Sequence, residues 1–381
     1  MSHPALSEFQ IGWLCVLPIE LAAAKEMLDE NFGGLHEQDG NDPNSYILGR
    51  IGRHHVVITQ LGTAGTTAAT AAVINMKRTF PQLRLGLMVG VGGGIPSNDH
   101  DVRLGDVVVS YPERTCGGVI QYDAGKMHEE KFVRAGLLNA PPRSLLGAVT
   151  GIRAAAITDD PKSPEYVDGA ISRNKRTRQN FGRPSPSTDR LFRPDKPHPV
   201  DAKSCSGCPS AWEQSRIGRE EGYPQVHYGI VASGNTSVRS AAMRDRVYEE
   251  TGALCFKTEA AGIMMDFPSI VICGICDYSD SHENNIWQGY AATVAAAYSK
   301  ELLSYLPTQK ASYQSLDTDI CKQLVGEVRN IAHKLQKVPV QRDSYLPEAT
   351  ARVLMGESRW GLQESEARAY EQSKNVNLDH A

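Results

Sequence analysis

The sequence predicts an α/β fold, a mixed central sheet flanked by helices on both faces, with a long insertion and a helical C-terminal extension. Two observations predict it. Apolar runs of strand length, among them "FQIGWLCVL", "VHYGIVASG" and "SIVICGIC", alternate with stretches of helix formers, the order in which helices come to cover both faces of a sheet. The 381 residues are 41% hydrophobic with a formal net charge of −4, enough chain for one large or two modest domains with a buried core.

Each element has a local reason. Residues 9–17 are apolar and stop at Pro18, and "PIELAAAKEMLDE" then puts proline in the first turn of a run of strong helix formers. "SYILGRIGRHHVVITQL" reads as a hairpin turning near Gly52, and "GTAGTTAATAAVINMKRTF" as a helix entered through small residues. From Leu87, "LMVGVGGGIPSNDHDVRLGDVVVS" reads as a strand that empties into a glycine-rich turn before a second strand. Such turns often cradle phosphate, because a chain without side chains lets backbone N–H groups approach an anion. The pattern resumes with the strand "VHYGIVASG", a helix near 236–250, the strand "ALCF", the short helix "TEAAGIMMDF", the strand "SIVICGIC" and the helix "IWQGYAATVAAAYSKELLSYL".

Residues 1–308 are expected to form this domain, and 113–224 interrupt it. Apart from a helix in "PPRSLLGAVTGIRAAAI", the interval is rich in proline and charge and reads as a partly disordered or lid-like insertion. Its basic run, Lys175, Arg176 and Arg178, reads as a solvated loop. In the polar extension 309–381, Ile320, Leu324, Val328, Ile331, Leu335 and Val338 recur at helical spacing. The opening residues carry no signal-peptide pattern and no apolar run reaches a membrane span, so a cytoplasmic protein is expected, with no call for nucleic acid or membrane as partner. Four of the eight cysteines, Cys15, Cys255, Cys273 and Cys276, lie in apolar runs, and the lone C-x-x-C of Cys205 and Cys208 lacks a second pair at zinc-site spacing, so no metal and no cofactor is expected.

Three carboxylates fall at or just past the carboxyl ends of strands, where such sheets bind ligands: Glu20, Glu259 and Asp277. Singly, a first helical turn or a cap accounts for each.

Together with their surroundings they carry a resemblance. "IGWLCVLPIELAAA", "GTAGTTAATAA", "VGVGGGIPS", "IVASGNTSV", "TEAAGIM" and "GICDYSDSH", in that order over residues 9–306, resemble the nucleoside phosphorylase/nucleosidase superfamily. The chain is similar to the fungal branch often found N-terminal to NACHT, ankyrin or tetratricopeptide-repeat modules, which also shows in "QYDAGK", "LNAPP" and "LFRPDKPH". The resemblance implies a purine nucleoside or nucleotide as small-molecule partner and a homo-oligomer. Asp277 matches the acid that protonates the purine at N7, Glu259 the carboxylate that holds the ribose hydroxyls, and Glu20 the base that activates water.

Where phosphorylases of this superfamily carry a phosphate-binding arginine before the glycines, this chain has Met88, which offers an anion no donor. Gly62, Gly65, Gly90, Gly92 and Gly93 are therefore expected to let backbone approach ribose and water. Tyr122 and Asp123 are candidates to touch the base, and Thr258, Ser237 and Val238 to line its pocket. Two departures stand out: Lys257 and Thr258 replace the branch's Glu and Met in "FEMEAAG", and Cys273 replaces the arginine of "RGICDYADSH". The expected function is an N-ribosidase hydrolysing adenosine-like substrates. A phosphorylase with an anion site at another residue such as Arg239, or a catalytically weak nucleoside-sensing or oligomerising module, are the alternatives.

Overall fold

The computed structural model describes residues 4–308 except 36, 130, 203, 220, 221, 223 and 284, so the expected helical extension, 309–381, lies outside the described residues. The first elements are β1 (Ile11–Cys15), α1 (Pro18–Glu26), β2 (Glu30–Gly33), β3 (Tyr46–Ile51), β4 (His54–Gln60) and α2 (Thr66–Thr79). The middle contributes β5 (Leu85–Gly94), β6 (Val107–Ser110), β7 (Val119–Gln121), β8 (Gly125–His128), β9 (Lys131–Arg134), α3 (Arg143–Ala155), α4 (Ser163–Ser172) and α5 (Lys175–Phe181). The last are β10 (Val226–Ser233), α6 (Ala241–Thr251), β11 (Ala253–Phe256), α7 (Ala260–Met264), β12 (Ser269–Asp277) and α8 (Gln288–Ser304).

The main sheet runs β11-β10-β6-β12-β5-β1-β4-β3-β2, with β7 beside β10, and β11 returns to pair with β5. Strands β5, β12, β6, β10 and β11 thus close on themselves. β1, β4, β5 and β12 are mutually parallel along the sheet, whereas β12 meets β6 and β5 meets β11 antiparallel. β1 and β6 are buried at every position, as strands covered on both faces must be.

The glycine run is not a turn. Gly90, Gly92, Gly93 and Gly94 all belong to β5, whose register places Gly93 opposite both Asp277 of β12 and Phe256 of β11. The poor strand propensity of glycine is overridden here by pairing on both edges.

The interval 113–224, expected to be partly disordered or lid-like, carries strands β7 to β9 and helices α3 to α5 as far as Phe181, and among its described residues beyond that only short turns. α3 buries Leu145, Ala148, Val149 and Ile152. The N-terminus of α4 is tied down by the buried Glu301 of α8, whose carboxylate accepts from Lys162 N (3.1 Å) and Ser163 N (2.9 Å). Lys175, Arg176 and Arg178 sit on α5, capped by Asn174, and not in a loop. Further on, buried Asp106 accepts from Arg219 at 2.7 and 2.8 Å and lies 3.0 Å from His227 Nε2, pinning the end of the interval to β6. Among the described residues no helix is long and apolar enough to cross a membrane.

Cys205 and Cys208 lie in a single turn of this interval as free thiols. Burial, and then the neighbouring Cys208, push the Cys205 thiol up to about 11, and a protonated thiol is a poor metal ligand. We expect the purified chain to carry no stoichiometric zinc. One zinc per chain by elemental analysis, lost in Cys205→Ser, would overturn this.

α8 is buried along nearly its whole length and packs on β12 and β5. The approach is close because of Gly274: a Cβ there would overlap the Ala291 carbonyl. Gly274→Ala should therefore destabilise the fold by about 2 kcal/mol, the middle of the range for overpacking. Denaturant unfolding would read this, and an unchanged midpoint would contradict the packing described.

Candidate active site

A cavity of about 230 Å³ opens where the carboxyl ends of β1, β5, β10, β11 and β12 converge. Its floor follows from the register. With Gly93 flanked by Asp277 and Phe256, the residues after β11 (Lys257, Thr258, Glu259) stand across the cavity from the end of β12, and the β1–α1 turn closes the third side.

Glu20 enters from the first turn of α1, which Pro18 starts. Its carboxylate folds back so that Oε2 accepts from Val16 N (2.6 Å) and Leu17 N (2.9 Å). Oε1 accepts from Val91 N (2.7 Å) and from Lys257 Nζ (3.1 Å). A carboxylate offers about four acceptor positions, and all four are taken. The contact to β5 requires glycine: a Cβ at Gly90 would overlap the Glu20 carboxylate.

Lys257 is buried, its side chain 5% exposed. Besides Glu20 it donates to Val91 O at 3.1 Å, and it stands 3.6 Å from Glu259 Oε2. Burial works against the ammonium, but Glu20 and Glu259 outweigh it and hold Lys257 well above its ordinary lysine value. Cys273, at the position where the branch has arginine, is the next contributor in the same direction.

Glu259 is 1% exposed. Its Oε1 accepts from Thr258 Oγ1 (2.5 Å) and Gly65 N (3.3 Å). Its Oε2 is buried with no hydrogen-bond partner. Burial opposes ionisation, yet Lys257 and then the Thr258 hydroxyl hold this carboxyl below its ordinary value.

Asp277 is half-buried, which is less burial than the strand-end position suggests. Its Oδ1 accepts from Ser279 N (2.8 Å) and its Oδ2 from Cys276 Sγ (3.2 Å). The segment after it is braced by the interval 113–224: Arg216 donates to the Tyr278 hydroxyl (2.7 Å) and to Asp189 (3.1 Å), and His198 N donates to Ser281 Oγ (2.9 Å). The interval supports the site from behind and contributes Tyr122 to its lining.

Of the other expected residues, Gly92, Gly93, Tyr122, Ser237, Val238 and Thr258 line the cavity. Gly62 and Gly90 do not, and Gly65 acts through its N–H on Glu259. Asp123 is a correction: it is exposed and spends its carboxylate on Asn235 N (2.8 Å) and Gln121 Nε2 (2.9 Å), bracing the loop instead of facing a base. Tyr122 presents its ring, because its hydroxyl is bonded to Thr236 O (2.5 Å). Met88 is fully buried core. None of Lys175, Arg176 and Arg178 lines the cavity. Sequence reasoning missed Phe256, which packs edge-on to Tyr122 at 5.5 Å as a second aromatic wall, and Arg239 lines the mouth, paired with Glu283 at 2.9 Å.

No protein-family model matches the chain. A nucleotide-binding leucine-rich repeat (NLR)-like protein of Hyaloscypha variabilis is 44% identical over 309 residues, 81% of this chain and 30% of that protein. The chain thus corresponds to under a third of that relative's length. A 5'-methylthioadenosine/S-adenosylhomocysteine nucleosidase of Mycobacterium tuberculosis is 21% identical over 308 residues, covering 79% of this chain and 98% of the relative. Among solved structures, futalosine hydrolase of Helicobacter pylori superposes with a TM-score of 0.51 at 15% identity, covering 78% of this chain and 99% of that one. S-adenosylhomocysteine nucleosidase of Streptococcus pyogenes does so with 0.51 at 15% identity, covering 80% and 100%. In fold the chain is similar to these solved nucleosidases, and in sequence it is similar to part of the fungal NLR-like protein.

Proposed function

We propose that the chain is a purine nucleoside N-ribosidase that hydrolyses the N-glycosidic bond of adenosine-like nucleosides or nucleotides. The observation that carries this reading is Glu259, a buried carboxylate lining the cavity with one oxygen that lacks a hydrogen bond. That oxygen has the Lys257 ammonium 3.6 Å away but accepts no hydrogen bond, and a ribose hydroxyl is the kind of donor that would supply one.

The chemistry follows from the residues around it. As the bond from the anomeric carbon to the purine nitrogen breaks, positive charge grows on the sugar and negative charge on the base. Asp277 would give its proton to the departing purine at N7, while Glu20 and Glu259 lie where they can balance the charge on the sugar. Water adds to the anomeric carbon and yields its proton to Glu20, leaving free ribose and free base.

Water is favoured over phosphate by local charge. Lys257 is the cation next to the glycine strand, and its charge is already offset by two carboxylates. A doubly charged phosphate there would meet Glu20, Glu259 and Asp277. Arg239, the other candidate for an anion site, is 67% exposed and paired with Glu283. A second reading, a catalytically weak nucleoside-sensing module, is favoured by the filled acceptor positions of Glu20. The cytoplasmic location expected from the sequence and the homo-oligomeric state implied by the resemblance belong to this proposal.

A panel of nucleosides and nucleotides, read by chromatography for free base, tests the reading. We expect turnover in phosphate-free buffer with ribose as product, little gain from added phosphate, and a loss of about 100-fold in Asp277→Asn with the fold intact. Ribose 1-phosphate formed only when phosphate is present would make the chain a phosphorylase. Binding without release of base would make it a sensor.

A further inference from the structure

The two carboxylates that the proposed reaction places against the sugar converge on one side chain. Glu20 Oε1 and Glu259 Oε2 lie 3.1 and 3.6 Å from Lys257 Nζ, and both carboxylates are buried. Two ionised carboxylates this close in a dry site repel each other strongly, and without a cation one of them would take up a proton. We propose that Lys257 is a positioning residue: its ammonium keeps Glu20 and Glu259 ionised together and fixes where each points, so that the three side chains act as one unit. The inference rests on the ribosidase reading for its use in catalysis, but not for its electrostatics.

The unit is assembled from three parts of the chain. Glu20 comes from α1, Lys257 follows β11, and Glu259 precedes α7. The ammonium also donates to Val91 O of β5, so it is oriented by the strand that supplies Val91 N to Glu20. Cys15 of β1, Cys255 of β11 and Cys276 of β12 also lie within electrostatic reach of Lys257, and burial raises all three thiols well above their ordinary value, so they add no charge. Cys273 of β12 faces it as well, and Asp277 lines the same cavity. Held protonated by its partners, Lys257 serves as a charge and not as a nucleophile toward the sugar.

The sign of the pH dependence follows. In the wild type the Glu259 carboxyl is held below its ordinary value, so the stability this contributes is present at neutral pH and lost as pH falls through that depressed value. In Lys257→Met the facing pair instead holds a proton too tightly, and the variant is penalised as pH rises. The gap in thermal midpoint between wild type and Lys257→Met should therefore be wide at about pH 8 and shrink to about half or less at about pH 5. Adding Glu259→Gln to Lys257→Met removes one of the two repelling charges, with the amide nitrogen able to take the place of the oxygen that accepts no hydrogen bond, and should restore much of the lost midpoint at about pH 8.

These melting experiments need no substrate, so they stand whether or not the ribosidase reading does. A gap of constant size across this range, or a double variant less stable than Lys257→Met, would show that Lys257 only fills space and would overturn the proposal. With turnover of adenosine established on the wild type, the acid limb of its kcat/KM profile should move up by about one pH unit or more in Lys257→Met. A uniform drop with an unmoved limb would confine Lys257 to packing.

Discussion

The architecture of this site depends on a buried ion cluster: one ammonium shared by two carboxylates at the point where the ends of β1, β5 and β11 meet. A buried charge is tolerated when it is paired and its remaining valences are hydrogen-bonded. Lys257 meets that condition with Glu20, Glu259 and Val91 O. Glu20 meets it with three backbone N–H groups besides the lysine. Glu259 meets it with hydrogen bonds on one oxygen, and the other, paired with Lys257 at 3.6 Å, accepts no hydrogen bond. The cluster is therefore complete in charge but keeps one acceptor position for a donor.

The backbone makes room for that cluster. β5 can carry five glycines because β12 pairs along one side of it while β1 and then β11 take the two ends of the other, and the missing side chains let the Glu20 carboxylate lie against the strand at Gly90. Opposite, Asp277 is set by the same register and braced through Tyr278, Asp189 and Arg216. The long polar interval is therefore part of the site's support, held to α8 by Glu301 and to β6 by Asp106.

Much of this is legible in the sequence, and the rest fails for identifiable reasons. The strand-to-helix alternation places Glu20, Glu259 and Asp277 at strand ends, because those elements are set by local periodicity and by Pro18. The role of Lys257 is not legible, since it depends on β11 turning back to pair with β5, a contact between residues far apart in sequence. The glycine run looks like a turn because glycine is a weak strand former, and its two-sided pairing is a tertiary fact. Asp123 looks like a base contact for the same reason: its partner, Asn235, lies 112 residues away. The interval 113–224 looks partly disordered or lid-like by composition, yet α4 is held by Glu301 and the segment around Arg219 by Asp106, buried acids on elements distant in sequence.

The central claim is that Glu259 and Asp277 grip the two ends of one nucleoside. The most direct measurement is a crystal structure of the chain with a C-nucleoside analogue of adenosine, whose carbon–carbon link between sugar and base resists cleavage. The account predicts a ribose hydroxyl within hydrogen-bond distance of Glu259 Oε2 and the purine N7 edge facing Asp277, with Lys257 still between Glu20 and Glu259. An analogue bound elsewhere, or bound here with its ribose away from Glu259, would contradict it.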